Sequence, residues 1–110
     1  MKIDYRKRQT TNYIHVVTSK APSVTFEETY RKARCQGKFD TGYHYFINEQ
    51  GTVSEDRTIS AIADHDLADH LTSIYILLSG EKLNDCQALS LRELLDTLQY
   101  EYPQAKIIKE

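Results

Sequence analysis

Two stretches of the chain concentrate side chains able to do chemistry. In Asp40-Thr41-Gly42-Tyr43-His44-Tyr45 a phenol stands beside an imidazole, directly after a glycine that frees the backbone. In Asp64-His65-Asp66-Leu67-Ala68-Asp69-His70 two histidines sit among three carboxylates, donor types that suit divalent metals. Each stretch also has a plainer reading. On a strand, neighbouring side chains point to opposite faces, so at most one of Tyr43 and His44 joins a given site. Spacing alone favours a buried tyrosine and a hydrogen-bonded histidine. The second stretch spaces its histidines as His-x-x-x-x-His, off the one-turn spacing that puts two ligands on one helix face, and a solvated acidic loop accounts for it. His15 stands alone among Tyr13, Ile14, Val16 and Val17, where a hydrogen-bonded core histidine is the ordinary case. Cys35 and Cys86 have no C-x-x-C spacing and read as reduced thiols of a cytosolic protein.

The elements that must position these residues follow from pattern. Asn12 to Thr18 is apolar on both faces, which predicts a central strand. Lys20-Ala21-Pro22-Ser23 breaks it. Thr25 to Gln36 reads as a helix: Thr25 and Glu28 fit a capping box, Phe26, Tyr30 and Ala33 share one stripe, and Gly37 follows as a stop. Tyr45-Phe46-Ile47 and Val53 flank the polar loop Asn48-Glu49-Gln50-Gly51, the pattern of a hairpin with a left-handed glycine. Ser54 to Arg57 is polar and is expected to leave the sheet. Ile59 to Ala63 fits no element. Leu71 to Leu78 is the strongest strand, with Ile74-Tyr75-Ile76-Leu77-Leu78 uncharged. Asn84 and Gln87 suggest a cap, and a helix with the stripe Ala88, Leu91, Leu95, Leu98 and Tyr102 runs to Pro103. Lys106 to Lys109 adds a short last strand. Strands and helices alternate as in an α/β domain, a mixed sheet flanked by helices, with residues 1–110 as one unit.

Composition narrows the function classes. The 110 residues carry 14 Lys and Arg against 16 Asp and Glu, a net charge of −2 that offers no field for nucleic acid. The basic start Lys2, Arg6, Lys7 and Arg8 reads as a solvated face. No apolar run is long enough for a membrane span or a signal peptide, so a cytoplasmic location is expected.

The residues resemble the zinc-dependent N-acetylmuramoyl-L-alanine amidases, the type shared by small phage endolysins and peptidoglycan recognition proteins. Tyr13-Ile14-His15 is similar to the family's first strand. Asp40-Thr41-Gly42-Tyr43-His44-Tyr45 is close to its Asp-x-Gly-Tyr-His-aromatic signature, with Gly51-Thr52-Val53 at the usual distance. Asp64-His65 sits where the family often has a groove histidine. Ser73 to Gly80 resembles the next central strand, with Tyr75 where a small glycine is common. The resemblance implies that His15 is a zinc ligand, that Tyr43 helps stabilise the transition state, and that His44 and His65 contact substrate. It also implies phage or prophage origin.

The chain departs from that pattern at its far end. The family's second zinc histidine follows the last strand, and a third ligand comes later near a lysine. Here Glu110 stands about where the second histidine belongs. A catalytic zinc takes three protein ligands and an open position for water. The expectation is therefore a domain without the C-terminal ligand segment. Tyr43 and His15 would be remnants with no stably held zinc, and the partner would be a peptidoglycan fragment or a protein. Two alternatives stay open. One is an active amidase with an atypical metal site drawn from His15, His44, His65, His70 or Glu110. The other is an inhibitor of a host or phage protein such as a polymerase.

Overall fold

The computed structural model describes residues 7–19, 25–37, 41–64 and 67–109. Asp40, His65, Asp66 and Glu110 lie outside the described residues, as do Lys20 to Ser23 and, of the basic start, Lys2 and Arg6. The elements run β1 (Tyr13–Thr18), α1 (Phe26–Cys35), β2 (Tyr45–Ile47), β3 (Val53–Glu55), β4 (Ser73–Leu78), α2 (Asp85–Glu101) and β5 (Lys106–Lys109). Among the described residues the strands form one sheet in the order β3-β2-β4-β1-β5. β4 pairs in parallel with β1 and β2, β5 is parallel to β1, and β3 is antiparallel to β2. The two strands apolar on both faces, β1 and β4, are the inner ones, as their pattern requires, and β4 is buried throughout.

Strand alternation splits the side chains between two layers. Ile14, Val16, Ile74, Ile76 and Leu78 pack with Ile47 against Leu91, Leu95 and Leu98 of α2. The other face carries His15, Tyr75 and Phe46. There α1 rests on the sheet through Phe26, whose ring meets Phe46 edge-on at 5.8 Å. Both helices start as their sequences require. Thr25 accepts from the Glu28 amide at 3.0 Å, and Asn84 and Gln87 form a complete capping box.

Gln87 also locks α2 to the sheet. It is fully buried, and its side-chain amide donates to Ser79 O at 2.8 Å and Ile47 O at 3.3 Å, at the ends of β4 and β2. In the hairpin, Asn48 Oδ1 accepts from the Gln50 and Thr52 amides, and Gly51 takes φ +86°. Ser54 and Glu55 correct the expectation of a polar exit, because both remain in β3, an edge strand whose outer side is open to water. Leu71 and Thr72 precede β4 rather than opening it. In the untyped stretch, Ala61 and Ala63 are buried, and Ala61 bridges to Lys7.

Candidate functional site: a groove at the strand ends

The turn before β2 is shaped by two carboxylates. Asp56, just past β3, accepts from the Thr41 amide at 2.8 Å and from the Thr41 hydroxyl. Its own amide donates to His44 O at 3.0 Å. Gly42 takes φ +85°, and a Cβ there would lie 2.5 Å from Asp64 Cβ. Only glycine meets both demands, the left-handed backbone and the close approach. The Asp64 amide closes the contact by donating to Gly42 O at 3.2 Å. Asp64 is 7% exposed, so this end of the acidic loop is packed rather than solvated.

That turn holds Tyr43 in the wall of a groove of about 540 Å³. Thr18 and Ser19 at the end of β1 and Leu77 of β4 line the same groove. Glu28 and Lys32 of α1, with Gln36 just after the helix, add polar side chains to the lining. The groove thus lies between the carboxyl end of β1, Leu77 near the end of β4, and the turn that leads into β2. A smaller cavity of about 360 Å³ lies at the other end of β1, around Arg8 and Tyr102. Burial there lowers the Arg8 pKa from its ordinary value.

His44 has a different task from the one the resemblance implied. It is fully buried. Nδ1 accepts from the Tyr75 amide at 3.1 Å, which leaves the proton on Nε2, 2.8 Å from Ala61 O. His44 therefore ties β4 to the Ala61 segment, with both nitrogens engaged and its ring closed to any ligand. This corrects the expectation that it contacts substrate. Tyr43 and His44 do split to opposite sides, one into the groove and one into the core.

His15 is 4% exposed and neither ring nitrogen has a hydrogen-bond partner among the described residues. It pairs in register with Tyr75 across the β1–β4 ladder. The two rings stack at 4.5 Å, tilted by only 4°. Tyr13 flanks His15 at 5.9 Å, and Tyr43 meets Tyr75 edge-on at 6.0 Å. The structure therefore brings His15 and Tyr43 into one row of rings, with Tyr75 between them. Tyr43 reaches the groove; His15 is not in its lining. The third expected site residue, His65, lies outside the described residues. His70 is half-buried, and its carbonyl accepts from the Ala63 amide at 3.0 Å.

A catalytic zinc would need three ligating side chains around one point. The unpartnered nitrogens of His15 suit a metal. Among the described residues, however, no three His, Cys, Asp or Glu side chains converge on one point. The described residues thus do not make up a three-ligand set. Sequence reasoning missed Asp56, whose role depends on a contact across the hairpin. For Tyr75 a signal existed, since a large ring stood where the resemblance expects a small residue.

No family model matches the chain. It is 31% identical to the endolysin of Klebsiella phage KP32 over 120 residues, a match covering 97% of this chain and 79% of that protein. Among solved structures, the N-acetylmuramoyl-L-alanine amidase LysC from Clostridium intestinale URNW superposes with a TM-score of 0.75 at 20% identity, over 96% of this chain and 78% of LysC. A tyrosine-to-phenylalanine mutant of Drosophila PGRP-LB, in complex with tracheal cytotoxin, gives 0.80 at 17% identity, over 96% and 73%.

Proposed function

Because the chain belongs to the phage endolysin family, we propose that its groove binds a peptidoglycan fragment, and that the residues gathered at the groove bind it without hydrolysing it. The observation that carries the reading is the placement of Tyr43. A turn fixed by Asp56 and Asp64 delivers this ring into the groove, where a core tyrosine would have turned inward. A glycan-linked peptide offers apolar sugar faces, amides and charges. The groove offers an aromatic ring, hydroxyls and the oppositely charged Glu28 and Lys32 one helical turn apart. The likeness to a PGRP-LB structure holding tracheal cytotoxin supports the same class of ligand.

Hydrolysis would require an activated water, which a bound zinc supplies in the family this chain resembles. One observation favours that second reading: among the described residues neither His15 nitrogen has a partner, as a ligand's would not before metal arrives. Three measurements on the purified protein separate the two. The binding reading expects sedimentation with peptidoglycan, loss of sedimentation on Tyr43→Ala, and no clearing of a cell-wall suspension. Clearing of the suspension, together with stoichiometric zinc retained through dialysis against a mild chelator, would establish the enzyme instead.

A further inference from the structure

We infer that Tyr75 sets the depth of the groove: its ring shuts His15 off, so that a bound fragment meets Tyr43 and goes no deeper. The seal itself is a geometric claim; only the identity of the bound fragment rests on the groove reading above.

Four observations carry it. The β1–β4 register makes His15 and Tyr75 nearest partners on one face of the sheet. Their rings lie almost parallel at 4.5 Å, so Tyr75 covers the imidazole face. The cover is held at both ends. The Tyr75 hydroxyl donates to Ala68 O, and the ring meets Tyr43 edge-on at 6.0 Å. Finally, both residues are nearly closed to water, at 3% and 4% exposure, and the imidazole keeps two unbonded nitrogens behind the cover. An unbonded polar group held in the interior is unfavourable, and any partner reaching it would be favoured. Tyr75, itself outside the groove's lining, stands between the imidazole and the lining residue Tyr43. Its position, between a lining residue and a buried histidine, makes it a positioning residue and more than core filler.

The test reads the chemical reactivity of His15 in the full chain. Diethyl pyrocarbonate carbethoxylates a neutral imidazole nitrogen that it can reach, and peptide mass mapping assigns the product. The half-buried His70 is the benchmark, and His44, with both nitrogens bonded, is the unreactive control. In the unaltered protein His15 should react at least about tenfold more slowly than His70, since a sealed group waits on local opening. Tyr75→Phe keeps the ring and should hold His15 at that slow rate. Tyr75→Val keeps a residue suited to an interior strand, removes the ring, and should bring His15 to within about threefold of His70.

Equal rates for His15 and His70 in the unaltered protein would overturn the seal, and so would an unreactive His15 in folded Tyr75→Val. Should the valine variant fail to fold, release of His15 in Tyr75→Phe would still refute closure by the ring. Muramyl dipeptide then connects seal and groove. It should slow the modification of His15 in Tyr75→Val. Binding of the dipeptide without that protection would overturn the claim about depth. If the dipeptide binds no form, the groove reading falls, while the reaction rates still decide the seal.

Discussion

Replacing Gln87 should expose how much of the sheet's integrity rests on one buried amide. Gln87 is fully buried, and its side chain makes three hydrogen bonds: to Ser79 O, to Ile47 O, and from the Asn84 amide. The first two join α2 to the ends of β4 and β2, deep in the core. The third completes the helix cap. Ile47 O keeps a second donor, the Ser79 amide at 3.0 Å, and the Asn84 amide lies at the exposed start of the helix, where water replaces the bond. Gln87→Met preserves the unbranched shape and removes all three bonds. At about 1 kcal/mol for each of the two buried bonds and a few tenths for the cap, it should cost about 2–2.5 kcal/mol. Gln87→Ala removes the same bonds and leaves a void in addition, for a total of about 3–4 kcal/mol. Urea melts followed by circular dichroism measure both, with the slope expected to stay constant. A cost below about 0.5 kcal/mol for the methionine variant would show that the amide is not holding the layers together. Equal costs for methionine and alanine would show that the void term is absent.

Three further outcomes are expected. Leu95, 8% exposed within the α2 stripe, should cost about 2–4 kcal/mol as Leu95→Ala in the same melts; a cost under about 1 kcal/mol would mean that the stripe does not pack on the sheet. Gly42→Ala combines φ +85° with a 2.5 Å clash against Asp64, so it should lose at least about 1 kcal/mol of stability and weaken peptidoglycan sedimentation, because Tyr43 is the next residue. Retained sedimentation would separate the turn from the groove. Desolvation first, and then the charge of Glu55, pushes the Tyr45 phenol up to about 12, against 10.0 for the ordinary group. The unfolded chain then releases that proton first. Stability from Tyr45 should be complete below about pH 10, fall as pH rises towards 12, and level off beyond. Tyr45→Phe should flatten that part of the profile, and an unchanged alkaline limb would refute the assignment.

The sequence by itself determined what depends on neighbours along the chain. Two-sided apolar runs made β1 and β4 inner strands, because only an inner strand buries both faces. Asn84 and Gln87 marked the start of α2, since a cap is a matter of a few adjacent positions. The polar loop ending in Gly51 marked the hairpin. The Gly-Tyr-His signature likewise located the turn that bears Tyr43, and the chain's membership of the phage endolysin family is borne out by the relatives.

Only the tertiary structure decided what those residues touch. Spacing favoured a hydrogen-bonded His44 and the resemblance a substrate contact; the structure makes it a core clamp because the Tyr75 amide and Ala61 O converge on its two nitrogens from other segments. Asp56 stood in a polar stretch expected only to leave the sheet, and it anchors Thr41 because the hairpin folds it back across 15 positions. His15 and Tyr75 are far apart along the chain, and nothing local states that they stack. Parallel pairing in one register does, with the alternation of strand side chains setting both rings on the same face. A shift of one residue in that register would send Tyr75 to the α2 side and leave His15 uncovered, which is why the depth of the groove belongs to the sheet and not to any local motif.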